Sequence, residues 1–281
     1  MPVIVVGNIT VGGTGKTPLV IWLVEALREY GFNMGVISRG FGANTAGVKE
    51  VLLESDAVHV GDEPLLIKRR LNCPVFIGRN RANAGLTLLE KYPEIDMIIS
   101  DDGLQHYALQ RDVEIAVVEG ARGLGNHFLL PAGPLREPAA RLSKVDAVVL
   151  NGVLTGSFVV SHAVNMQLTG QTLVNVRTKQ AMSLQEIQDK KIHAIAGIGN
   201  PDRFFEALKT LGLFFEQTAF IDHHNYVAAD FAHIQADYVV MTEKDAVKCT
   251  AFAQDNWWYL PVNATVEPGL IDIVLKKFQK I

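Results

Sequence analysis

The chain has 281 residues, enough for one large domain or two modest ones around a sizeable core. Hydrophobic residues make up 48% and charged residues 20%, and a formal net charge of -4 excludes the strongly basic character of a nucleic-acid scaffold. No apolar run approaches the ~20 residues that span a bilayer, and Met1 leads at once into a strand pattern with no signal peptide. The two cysteines, Cys73 and Cys249, lack metal-ligand spacing and read as buried, reduced thiols of a cytoplasmic protein.

Val3 to Val6 is a short run of β-branched residues, the pattern of a parallel strand buried on both faces. A glycine-rich loop follows, then a helix predicted over Pro18 to Tyr30, where Leu19, Leu23, Ala26 and Leu27 share one face and Gly31 closes the end. Further strands are predicted at Met34 to Ser38, Val75 to Ile77, Met97 to Ser100, Glu114 to Glu119 and Val145 to Leu150, with a helical run at Leu65 to Leu71. Strands alternating with helices imply an α/β protein: a mainly parallel sheet of the P-loop NTPase type with helices on both faces. After Asn151 the pattern changes. Phe158-Val159-Val160 and Leu173-Val174-Asn175-Val176 read as a hairpin, followed by a strand at Ile192 to Ala196, a turn through Gly197 to Pro201, a helix at Asp202 to Leu211 and a strand at Asp237 to Met241. The expected organisation is a core over 1–151, a β-hairpin connector over 152–190 and a smaller α/β domain over 191–281.

Between the first strand and the first helix lies Thr10-Val11-Gly12-Gly13-Thr14-Gly15-Lys16-Thr17. Glycines let successive backbone N–H groups turn inward around phosphate oxygens, and the helix N-terminus adds its positive end. Lys16 suits the β- and γ-phosphates of ATP, and the Thr17 hydroxyl suits Mg²⁺. The general motif places glycine where this chain has Thr10. A phosphate loop also needs an acidic strand end, and Ile98-Ile99-Ser100-Asp101-Asp102 delivers two carboxylates, either of which could face the metal. His106 follows four residues later. Asp62 and Glu63, before Pro64, read by position as the acidic first turn of a helix. Asp222-His223-His224 reads as a polar loop in which aspartate beside histidine suggests proton transfer. The phosphate loop alone leaves open a nucleotide-dependent switch or assembly ATPase as well as a kinase.

Taken together, Gly7 to Pro18, Ser38-Arg39-Gly40-Phe41-Gly42, Gly61-Asp62-Glu63-Pro64, Asp101 to His106, Pro131 to Glu137, Phe220 to His224 and Met241 to Ala246 resemble the tetraacyldisaccharide 4'-kinase family from end to end. Thr10 matches that family's variant of the loop. The resemblance implies transfer of the ATP γ-phosphoryl group to the 4'-hydroxyl of an acylated glucosamine disaccharide 1-phosphate, giving lipid IVA in lipid A biosynthesis. It implies Lys16 and Thr17 at the triphosphate and Mg²⁺, Asp101 and Asp102 as the acidic strand end, and Asp62 as base assisted by His223. It adds Glu63, His106 and Arg136 as further active-site groups and puts Arg39 near the phosphates.

Members of that family ordinarily carry an amino-terminal segment with an amphipathic helix that meets the inner membrane. Here Met1-Pro2 leads straight into the first strand, so the sequence starts late or the protein docks peripherally by another surface. His127 to Pro131 and the basic run Lys68-Arg69-Arg70 are the candidates, and a chain this short is expected to be partly soluble.

Overall fold

A computed structural model describes residues 1–42, 47–155 and 163–278. The first unit runs β1 (Val3–Gly7), α1 (Lys16–Glu29), β2 (Met34–Ser38), β3 (Lys49–Glu50), α2 (Ala57–Val60), α3 (Asp62–Leu71), β4 (Val75–Ile77), α4 (Arg81–Lys91), β5 (Met97–Asp101), β6 (Val113–Glu119), β7 (Ala147–Asn151) and β8 (Ala163–Thr169). The second contains β9 (Thr172–Asn175), β10 (Ala181–Ser183), β11 (Ile192–Ala196), α5 (Pro201–Thr210), β12 (Glu216–Ala219), β13 (Tyr238–Thr242), α6 (Glu243–Cys249) and β14 (Trp257–Leu260). The chain ends with β15 (Asn263–Val266) and α7 (Gly269–Phe278).

The first sheet has the order β15-β8-β7-β6-β1-β5-β2-β4-β3 and is parallel except at its two edge strands, β15 and β3. Period-two alternation assigns its faces. Ile4 and Val6 pack on the side that holds Leu19, Leu23 and Leu27 of α1, whereas Val5 packs on the side that holds Ala84 and Leu88 of α4. β1 lies between β5 and β6, with Val6 beside Asp101 and Glu119 beside Asn151 in register. The carboxyl ends of β1, β5, β6 and β7 therefore converge on one edge, where ligands bind in open α/β sheets.

The second sheet has the order β10-β9-β14-β13-β11-β12. Phe204, Phe205 and Leu208 of α5 cover one face, and Tyr226, Phe231 and Trp257 fill the other. Three features depart from the expected boundaries. β8 extends the first sheet beside β7, while β9 pairs with β10 and β14 in the second, so Leu173 to Asn175 forms its hairpin with β10. The other arm proposed for the hairpin, Phe158 to Val160, lies outside the described residues. Finally, β15 returns to pair with β8, and Leu270, Ile271 and Val274 of α7 join the α1 core. The chain thus crosses between the sheets twice, because the apolar faces of β15 and α7 find their partners only on the first unit. Both cysteines are buried and free.

Candidate active site

The phosphate loop runs off β1 at the converging strand ends. Gly15 caps α1 at φ +95°, and a Cβ there would stand 2.6 Å from Asn151 Nδ2, so both conformation and space require glycine. Thr10 occupies an extended bridge with Leu135, which explains why this position needs no glycine. The same short pairing, Val11 N–H to Pro134 O at 2.9 Å and Arg136 N–H to Ile9 O at 2.7 Å, brings Arg136 to the loop. Lys16 and Thr17 form the first turn of α1, and Asn8 Nδ2 donates to Thr14 Oγ1 at 3.2 Å from beneath. Arg122 reaches Thr10 Oγ1 at 3.3 Å and the Val11 carbonyl.

At the end of β5 the two carboxylates are treated differently. Asp102 pairs with Arg136 at 3.0 Å and with Lys16 at 3.6 Å. Burial would raise its pKa, but the Lys16 and Arg136 charges outweigh burial and hold it below the ordinary value. Asp101 is 1% exposed, and neither of its carboxylate oxygens has a hydrogen-bond partner among the described residues. Burial, with Glu63 and Asp102 nearby, pushes its pKa up to about 7. An unpartnered buried carboxylate at the strand end beside β1, within reach of the Lys16 charge, has the chemistry of a site for a divalent cation. Among the described residues no group of three or more His, Cys, Asp or Glu could hold a metal alone. The set therefore fits an ion held jointly by protein, nucleotide and water, as Mg²⁺ is in phosphate-loop enzymes.

Asp62 opens α3 and is 5% exposed. His223 comes from the second unit, and its Nδ1 lies 3.0 and 3.2 Å from the two Asp62 oxygens. Its ring rests on Phe41, with centroids 4.9 Å apart. Lys244 Nζ lies 3.2 Å from Glu63, 3.5 Å from Asp222, 3.4 Å from His223 Nε2 and 3.9 Å from Asp62. Lys248, four residues along α6, approaches Asp62 at 3.9 Å and Asp245 at 2.9 Å. Burial alone would raise the Asp62 pKa, but the His223 hydrogen bond and the Lys244 charge bring it below its ordinary value. The same hydrogen bond raises the pKa of His223.

His106 sits at the start of α4, where its Nε2 accepts the Arg81 backbone N–H at 3.3 Å, and burial followed by the Arg81 charge lowers its pKa. Arg81 in turn donates to the Asp102 carbonyl at 3.0 Å. The exposed Arg39 stands at the same rim, its charge also acting on Arg81 and His106. The structure brings Lys16, Asp101, Asp102 and Arg136 together at the end of β5, and Glu63, whose charge also acts on Asp101, is linked through Lys244 to Asp62 and His223. Sequence reading quoted Lys244 within Met241 to Ala246 but gave it no role, and it missed Lys248, whose i,i+4 spacing from Lys244 was the available signal. It also missed Arg122 and Asn151, which carry no motif.

A family model described as tetraacyldisaccharide-1-P 4'-kinase matches residues 1–279. A tetraacyldisaccharide 4'-kinase of Methylobacillus flagellatus is 50% identical over all of this chain and 83% of its own length. One from Dechloromonas aromatica is 47% identical over 99% of this chain and 84% of its own length. A crystal structure of LpxK from Aquifex aeolicus in complex with ATP superposes with a TM-score of 0.82 at 29% identity, covering 99% of this chain and 89% of that one. The switch or assembly ATPase left open by the phosphate loop is not what these relatives are. The chain belongs to the tetraacyldisaccharide-1-P 4'-kinase family.

Proposed function

We propose that this chain transfers the γ-phosphoryl group of ATP to the 4'-hydroxyl of a tetra-acylated glucosamine disaccharide 1-phosphate. The observation that carries the reading is the approach of a phosphate loop to the segment bearing the Asp62–His223 pair: a Cβ on Gly199 would stand 3.5 Å from Gly13 N and 3.2 Å from Asp222 Oδ2, next to His223. A sugar hydroxyl is a weak nucleophile, so a positioned base must take its proton as attack proceeds. Asp62 is that base, and His223, bonded through Nδ1, holds the carboxylate in place and favours its ionised form. Lys244 and Lys248 keep Asp62 ionised and ready to accept the proton. Lys16 and Arg136 face the phosphates and disperse their negative charge, with Asp102 aligning both cations. Thr17, Asp101 and Asp102 would hold Mg²⁺, which when bound supplies charge neutralisation at the phosphate oxygens.

Among the described residues no helix is long and apolar enough to cross a membrane. The acylated acceptor is a membrane lipid, so the reaction belongs at the cytoplasmic face of the inner membrane with the protein attached peripherally. The exposed side chains of Phe128, Leu129 and Leu130 support contact with that surface.

The test is transfer of labelled γ-phosphate from Mg·ATP to detergent-solubilised tetraacyldisaccharide 1-phosphate, with Asp62→Ala alongside. Labelled lipid made by the wild type and lost in the variant is the expected result. Free phosphate released without labelled lipid would overturn the acceptor assignment.

A further inference from the structure

The second unit grips the phosphate loop at a place the proposed chemistry does not use. Arg203, in the first turn of α5, donates from Nη1 to Glu119 Oε1 and from Nη2 to Asn151 Oδ1, each at 3.2 Å. Glu119 and Asn151 are register partners at the ends of β6 and β7, 6% and 2% exposed. Asn151 then donates from Nδ2 to the Thr14 carbonyl at 2.9 Å. Its orientation follows from its partners: a guanidinium only donates and a carbonyl only accepts, so the amide oxygen must face Arg203. The contact matters for a loop that binds anions through its backbone. N–H groups turned toward phosphate leave carbonyls turned away, and a buried carbonyl needs a donor. Asn151 supplies that donor to Thr14. A second contact reinforces the first: at Gly199, just before α5, a Cβ would stand 3.5 Å from Gly13 N and 3.2 Å from Asp222 Oδ2.

We propose that Arg203 is a positioning residue for the nucleotide: by fixing Asn151 against the Thr14 carbonyl, it holds the phosphate loop in its ATP-binding shape from the second unit. The proposal rests on the reading that this loop binds ATP. Lysine is not an equivalent at this position, because its ammonium lacks the rigid planar fork that aims separate N–H donors at Glu119 and Asn151.

The experiment compares full-length wild type, Arg203→Gln, Arg203→Lys, Asn151→Ala and the Arg203→Gln/Asn151→Ala double variant. ATP affinity is read by calorimetry, KM for ATP and for the acceptor by phosphoryl transfer, and folding by thermal midpoint. Arg203→Gln is expected to weaken ATP binding by roughly tenfold, the scale of losing one charge-assisted hydrogen bond. KM for the acceptor should stay within about twofold. Arg203→Lys should recover only part of the loss. The double variant should be no worse than the poorer single one, since both act through one chain of contacts. Unchanged ATP affinity in Arg203→Gln, with only a lowered thermal midpoint, would reduce Arg203 to a strut between the units and overturn the proposal. If the wild type binds ATP but phosphorylates no lipid, the affinity comparison still decides the matter while the acceptor assignment fails. A wild type that does not bind ATP overturns both.

Discussion

The two halves of the cleft are built on different scales. The phosphate side is contiguous from Thr10 to Thr17, hung between β1 and α1, with its carboxylates one strand away on β5. The acceptor side draws Asp62, His223 and Lys244 from three segments, with Asp62 and its histidine 161 positions apart. Backbone conformation shapes the first, and a charge-assisted network shapes the second: Asp62, Glu63 and Asp222 against Lys244, Lys248 and His223. The contiguous loop takes its course from its own backbone and is braced from outside at points such as the Thr14 carbonyl, whereas the network assembled across two units depends on their packing throughout.

Breaking the phosphate side should have the largest effect. Lys16→Ala removes the cation proposed to serve the transferred group and should cut phosphoryl transfer by about a thousandfold or more, with weaker ATP binding, in a steady-state assay. On the acceptor side, Asp62→Asn keeps the shape and removes the proposed base. It should lower kcat by roughly a hundred- to ten-thousandfold, while calorimetric ATP affinity stays at the wild-type value. Equal losses in both quantities would show that the two halves are not separable in this way.

Lys244→Met sharpens the comparison, because it leaves both members of the pair and removes a cation that touches each of them. Loss of a charged hydrogen-bond partner predicts a decrease in kcat of about ten- to a hundredfold, with Lys244→Arg recovering part of it. The smallest expected effect is on stability. The pKa of His223 is raised in the fold by its hydrogen bond to Asp62. Its contribution is therefore fully present below the ordinary imidazole pKa of 6.5 and is lost as pH rises through the raised value. Asp62 has the opposite sign: its pKa is lowered, so its contribution is present above the ordinary value of 3.8 and is lost as pH falls through the lowered one. The thermal-midpoint gap between wild type and His223→Gln should accordingly be widest in weakly acidic buffer and narrow toward alkaline pH. A gap that widens with pH would contradict the pairing.

Much of the phosphate side was legible because its signals are local. The apolar run ending at Gly7, the glycines around Thr14 and the carboxylates closing β5 each lie within a few residues of the feature they specify. α3 was read correctly as a helix opened by acidic residues, yet that reading gave Asp62 only a helix-end role. Its proposed role as a base, assisted by His223, came from resemblance, and the contact between the two came from packing. The pairing of Leu173 to Asn175 with β10 was not legible, because alternation marks a strand without naming its neighbour. The return of β15 and α7 to the first sheet was invisible for the same reason.

The sequence by itself determined the class of sheet, the phosphate loop and the order of the motifs, since backbone preference and β-branched runs act over a few residues. Only the tertiary structure decided that Lys244 and Lys248 flank Asp62, that Arg203 reaches Asn151, and that Asp101 is left without a partner while Asp102 holds Lys16 and Arg136. Those relations depend on how two separately packed sheets meet, and burial sets the strength of each charge there.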